Sequence, residues 1–249
     1  MVAAGATGIV VDWEHRGKRA RQAGADTQVN ADTPAHLAAV RAATGGRVLC
    51  RVNGWGPWTA AEIDLAVSLG ADEVLLPMVR RPEEVDAAAD AVGGRCGLGI
   101  LVETTDAVRR VEALLGRTLS RVYVGLNDLM IDRGARNLFV PLVDGTVDRI
   151  AKAAAAAGVP FGVAGLTLPE GGRPVPCRLL TAALARLGAG FTFLRRSFHA
   201  DITGRDVRTE VPRILAAVEA ARGRDTERVA AEHAELAAVV GVLREDEAV

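Results

Sequence analysis

Seven short apolar runs punctuate the chain at intervals too wide for hairpins: GIVVDWE (8–14), RVLCRVNG (47–54), EVLLPMV (73–79), CGLGILVET (96–104), RVYVGLNDLM (121–130), FGVAGLT (161–167) and FTFLRRSF (191–198). Between them, apolar residues recur at helical spacing over 33–44, 59–70, 81–94, 106–116 and 146–158. Start and stop signals bracket these segments. Asp32 precedes the first as a potential N-cap, Pro82 and two glutamates open the third, and glycines close most of them. The runs are apolar on both faces, as in parallel strands covered on each side by crossover helices. The pattern predicts an α/β domain made of repeated β-α units.

Nearly every run carries a polar or special residue at its C-terminal end: Asp12 and Glu14, Arg51 and Asn53, Pro77, Glu103, Asn127 and Asp128, Arg195 and Arg196. An open doubly wound sheet collects its ligand groups at one crevice, and no G-x-G-x-x-G follows the first run. A (β/α)8 TIM-type barrel sets all such ends around one mouth and accounts for the pattern better. Seven strands leave that barrel one short, so it is expected to lack or replace its first strand. GGRPVPCRLL (171–180) is too broken by glycine and proline to supply it. The barrel is predicted over 1–205. Residues 206–249 predict two amphipathic helices divided near Gly223, packing on the barrel or on a neighbouring subunit.

Composition acts mainly by exclusion. A chain of 249 residues, 49% hydrophobic, can bury one large core. A net charge of −1, with one local basic cluster at 15–22, argues against a nucleic-acid binder. No apolar run approaches the roughly 20 residues that span a bilayer, so no membrane partner is expected. Cys50, Cys96 and Cys177 form no C-x-x-C pair; they predict reduced thiols in a cytoplasmic protein rather than a zinc or redox site.

Glu103 and Asp128 finish consecutive runs, which places them on adjacent strands about 4.8 Å apart. Two carboxylates at that spacing repel unless a cation or a shared proton intervenes. An oxygen-only ligand pair suits Mg2+ or Mn2+. The alternative is that each acid caps the next helix. Thr104 or Thr105 is the better cap beside Glu103, whereas capping stays open for Asp128. His15 titrates in the range useful for acid–base work or is a plain loop histidine. Asp12 and Glu14 would hold metal-bound water, orient His15, or pair with Arg51. Trp55, in GWGPW (54–58), would shape a pocket or cover apolar surface. Gly125 and Asn127 would let backbone amides approach a substrate carboxylate. Arg195 or Arg196 would bind a carboxylate or phosphate, or pair with a neighbouring helix. The polar stretch 15–30 reads as a lid.

ILVETTDAV followed by VYVGLNDLMIDRG resembles the paired metal-binding segments of the HpcH/HpaI aldolase–citrate lyase β-subunit family. VVDWEHRGK is similar to that family's acidic strand end, CRVNG to its arginine-bearing strand, and GADEVLLPMVRRPEEV to its next β-α unit. The likeness runs from about residue 8 to residue 200. It implies a metal-dependent barrel lyase acting on 2-oxo acids or acyl-CoA thioesters and assembled as a trimer or hexamer. Glu103 and Asp128 would then be the metal ligands, Arg51 would bind the enolate oxygen, and His15 would be the acid/base. The EH dipeptide resembles the aldolase branch, whereas Asn53 in RVN resembles the lyase branch. The expected activity is therefore an aldol cleavage or formation between a pyruvate-like enolate and an aldehyde. An acyl-CoA lyase or thioesterase, and a catalytically silent barrel scaffold, are the alternatives.

Overall fold

The structure is a computed structural model that describes residues 1–18 and 32–245. Most of the stretch read as a lid, residues 19–30, lies outside the described residues. Seven strands form one parallel sheet in sequential order: β1 (Gly8–Asp12), β2 (Arg47–Arg51), β3 (Glu73–Leu76), β4 (Gly97–Val102), β5 (Arg121–Val124), β6 (Phe161–Leu166) and β7 (Phe191–Leu194). Helices α1 (Pro34–Ala43), α2 (Thr59–Ser68) and α3 (Pro82–Val92) connect the first four strands. The pair α4 (Thr105–Arg109) and α5 (Val111–Leu115) leads to β5, and α6 (Leu126–Asp132) with α7 (Thr146–Ala157) leads to β6. Then come α8 (Cys177–Arg186) before β7, the short α9 (Ser197–Asp201), and the tail helices α10 (Val207–Arg222) and α11 (Thr226–Glu245).

The sheet is a curled, open barrel rather than a closed eight-stranded one. Among the described residues β1 and β7 each pair on one side only. Among the described residues the strands number the seven expected from the sequence, and residues 171–180 do not add an eighth. They form a loop running into α8, with Pro176 at the N-cap, where proline is tolerated because the first-turn amides lack helical partners. The tail helices pack on α8, burying Val211, Ile214, Leu236 and Val240. Among the described residues no helix is long and apolar enough to cross a membrane.

Alternation along the strands sorts side chains to two faces. Outward positions such as Val48, Cys50, Val74, Leu76, Ile100, Val122 and Val163 join one core beneath the helices. Inward positions form a smaller cluster of Leu49, Leu75 and Leu101, flanked by Val10, Tyr123 and Phe193. At the N-terminal end of the interior, buried Glu73 accepts from Arg121 Nε at 2.5 Å and Nη2 at 2.7 Å, and from Ser120 Oγ at 2.7 Å. Gly99 leaves room for this pair, since a Cβ there would lie 2.9 Å from Glu73 Oε1. The inward register that stacks these layers brings Asp12, Arg51 and Glu103 to the opposite, C-terminal mouth.

Candidate active site

The mouth is built from strand ends and the turns that follow them. Asp12 closes β1 and is buried. Arg51 closes β2 and donates to Asp12 through Nε at 2.8 Å and Nη2 at 2.6 Å. Glu14 lies two residues beyond Asp12, the spacing that alternation places on one face, and its Oε2 is 3.5 Å from Arg51 Nη1. Lys18, buried at 3% exposure, sits between the two acids, 3.2 Å from Asp12 Oδ2 and 3.2 Å from Glu14 Oε2. Burial alone would raise the Asp12 carboxyl, but the Arg51 hydrogen bonds and charge, helped by Lys18, hold it down at about 2. Two acids and two bases therefore compensate one another on this side. Lys18 was hidden in the sequence because a lysine in a basic run looks solvated.

The other side differs. Glu103 follows β4 and is 1% exposed. Its Oε1 accepts from Met78 N at 2.8 Å, and Met78 takes a left-handed φ of 56° to present that amide, a conformation uncommon outside glycine. Gly125 makes the second accommodation. A Cβ there would collide with Glu103 Oε2 and lie 3.0 Å from Glu103 Cβ. Thr104 caps α4 by accepting from Ala107 N, so Glu103 has no capping duty. Asp128 is not at a strand end. β5 stops at Val124, and Asp128 is buried in the first turn of α6, because L-N-D-L-M continues as helix once Gly125 has turned the chain. Burial first, then the charges of Asp128 and Glu14, push the Glu103 carboxyl up to about 8 against the pull of Arg51 and the Met78 amide. Asp132 braces the arrangement, accepting from Thr105 N at 2.7 Å and Arg80 Nη2 at 2.7 Å.

The remaining candidates divide. His15 is exposed, and its Nδ1 is 2.8 Å from Trp13 O. A carbonyl only accepts, so Nδ1 carries the proton and the neutral ring presents Nε2 as the basic nitrogen. Asn53 is not available to a substrate. Its Oδ1 accepts from His15 N at 2.9 Å and Arg16 N at 2.8 Å, and its Nδ2 donates to Glu62 Oε1 at 2.8 Å. It is the tether that holds the turn after β1 over the β2–α2 loop. The Gly125 amide is likewise committed, donating to Val102 O at 3.2 Å; this glycine serves by lacking a side chain. Asn127 is half-buried in the first turn of α6. Trp55 is 40% exposed, while Trp58, which carries Arg16 over its ring at 4.5 Å, does the packing in that loop. Asp32 does not cap α1, a role taken by Thr33; it accepts from Asp12 N at 2.9 Å. Tyr123, unmarked in the sequence, lies half-buried in the interior, donates to Ala164 O, and feels the charges of Arg51 and Glu103.

Among the described residues no three His, Cys, Asp or Glu side chains are grouped to hold an ion on their own. The donor set still suits a hard divalent cation. Glu103 and Asp128 are buried oxygen donors, and a cation would relieve the repulsion that Asp128 exerts on Glu103.

A barrel-like sheet of parallel strands with an acid pair and an arginine at its C-terminal mouth is an enzyme-type α/β-barrel architecture. The comparisons specify it further. The model of the HpcH/HpaI aldolase/citrate lyase family matches residues 1–164, and the chain belongs to that family. Among solved structures, the HpcH/HpaI aldolase from Desulfitobacterium hafniense DCB-2 is similar with a TM-score of 0.58 and 18% identity, over 90% of this chain and 86% of that one. The citrate synthase SbnG is similar with a TM-score of 0.57 and 20% identity, over 88% and 85%. At these identities the two structures speak for the fold. No curated protein matches the chain.

Proposed function

We propose that the protein is a Mg2+- or Mn2+-dependent carbon–carbon lyase of the aldolase type, joining or releasing a pyruvate-like enolate and an aldehyde. The observation that carries this reading is the pair of buried carboxylates, Glu103 and Asp128, beside Arg51, with the Glu103 carboxyl raised by burial and by the charge of Asp128. These two carboxylates would hold the ion, which when bound supplies Lewis acidity to a 2-oxo acid. Arg51 keeps its charge through Asp12 and directs fixed positive charge at the mouth, where an enolate oxygen would develop. His15, with Nε2 basic, would take the aldol hydroxyl proton. Glu14 and Lys18 hold Arg51 and Asp12 in place rather than touching substrate. The acyl-CoA lyase reading keeps its support in the RVN resemblance at Asn53, whose side chain bonds within the protein.

Exchange of the pyruvate C3 protons for deuterium, followed by NMR, tests the half-reaction without knowledge of the aldehyde. Exchange that needs Mg2+ or Mn2+, stops with chelator and is lost in Glu103→Gln is the expected outcome. Metal-independent exchange, or full exchange in Glu103→Gln, overturns the reading.

A further inference from the structure

One cation at the mouth has no part in the chemistry above. Arg195 follows β7, and its backbone N–H still donates to Leu166 O at 2.9 Å, so it extends that strand. Phe193, two residues earlier, joins the inward cluster and lies 4.4 Å from Tyr123, centroid to centroid. Alternation therefore turns Arg195 to the same inward face, in the layer of strand ends that also holds Asp12, Arg51 and Glu103.

Two features of β6 make room for it. Gly165 faces the arginine stem, and a Cβ there would lie 2.8 Å from Arg195 Cβ. The β6–β7 register shifts between Gly162 and Gly165, and Ala164 inside that irregularity takes a left-handed φ of 58°. Backbone strain of this kind concentrates at functional positions. The head group is oriented but not neutralised. Nε donates to Ser197 Oγ at 2.7 Å, and among the described residues no carboxylate lies within ion-pair distance of the guanidinium. The nearby Asp201 accepts instead from the Thr167 hydroxyl. Arg51 is the opposite case, its Nε and Nη2 both given to Asp12.

We infer that Arg195 is an anion subsite that reads a terminal oxyanion on the substrate, so that the enzyme takes substrates with a 2-oxo acid head and an anionic tail. The inference rests on the lyase reading for the head group; the tail is its own content. A guanidinium with both Nη groups available matches a carboxylate or a phosphate through paired charge-assisted hydrogen bonds.

Calorimetric binding in Mg2+ separates the two layers, since it needs no turnover. The probes are 2-oxoglutarate, the uncharged-tail analogue 2-oxopentanoate, and 2-oxo-4-phosphonobutyrate. The wild-type protein should bind one or both anionic-tail compounds about tenfold or more tighter than 2-oxopentanoate, the span of one or two charge-assisted hydrogen bonds. Arg195→Gln should erase that preference while leaving 2-oxopentanoate binding unchanged, and Arg195→Lys should restore part of it. Tighter binding of the phosphonate than of 2-oxoglutarate assigns the subsite to phosphate, and the reverse order to carboxylate. Equal binding of all three compounds, or a preference that survives in folded Arg195→Gln, overturns the inference. Binding of none of them removes the lyase reading on which it stands.

Discussion

The two sides of the mouth solve the same electrostatic problem differently. On the β1–β2 side, Asp12 and Glu14 are buried together with Arg51 and Lys18, and each acid has a cation within 3.5 Å. On the β4–β5 side, Glu103 and Asp128 are also buried, but the groups acting on Glu103 are mostly like charges, and its direct donor is one backbone amide. The first side is complete as protein. The second, on the reading proposed above, is left for a cation to complete, and the Glu103 carboxyl rises where that of Asp12 falls. A buried acid pushed up by burial and like charge marks a candidate functional position. The contrast predicts opposite responses from the two sides when either is disturbed.

The largest effect is expected at Glu103. Its raised pKa means that between the ordinary carboxylate value of 4.5 and about 8 the folded state keeps a proton that the unfolded chain has lost. Stability from this group is thus present below 4.5 and is lost as pH rises through about 8, at up to about 1.4 kcal/mol per pH unit. In chelator, melting temperature should fall across that window; Glu103→Gln should flatten the fall and raise the melting temperature above pH 7. Added Mg2+ or Mn2+ should stabilise the wild-type protein but not the variant. A variant that is less stable than wild type in chelator at pH 8 would remove the claim that this side is incomplete.

Arg51→Met disturbs the compensated side and should act with the opposite sign. Removing one partner of a buried pair costs about 3–5 kcal/mol, seen as a large drop in denaturation midpoint at pH 7. Asp12 shows the same polarity in acid. Its carboxyl is depressed from 3.8 to about 2, so its contribution, about 2 kcal/mol, is present above 3.8 and is lost as pH falls through about 2. In Arg51→Met that acid limb should move upward. An unchanged limb would show that Arg51 does not hold Asp12.

The strand-end pattern was legible because parallel strands announce themselves as apolar runs and their ends as polar breaks. It located Asp12, Arg51 and Glu103 and the family to which the chain belongs, and the missing strand showed up as an arithmetic deficit before it appeared as an open edge. What stayed illegible depends on contacts that one-dimensional pattern does not carry. Lys18 looked like a surface lysine until the turn after β1 folded it under two acids. Asn53 looked like a ligand because nothing local shows that Glu62, nine residues on, consumes its amide. Helix α8 was concealed by prolines that end just where the helix begins. Asp128 was placed on a strand because Leu126–Met130 follows the apolar run of β5 with only Gly125 between them, although its apolar positions fall at helical spacing.

The smallest perturbation separates charge from shape on the incomplete side. Gly125→Ala adds one methyl group and changes no charge, but it displaces the Glu103 carboxylate from the position in which it accepts from the Met78 amide. Overpacking of this kind costs roughly 1–3 kcal/mol, less than the loss of Arg51. The direction of the apo pH dependence should persist, because Glu103 remains buried beside Asp128. Metal affinity, measured by calorimetry with Mn2+, should instead fall about tenfold or more, as it does when a group orienting a ligand is lost. If Gly125→Ala lowers stability but leaves Mn2+ affinity at the wild-type value, the ion is held by something other than this carboxylate geometry. If it alters neither, the close packing of Glu103 on Gly125 has no role in the site. The methyl group thus tests whether the acid pair is a positioned ligand set or only a burial cost that a cation would lower from any angle.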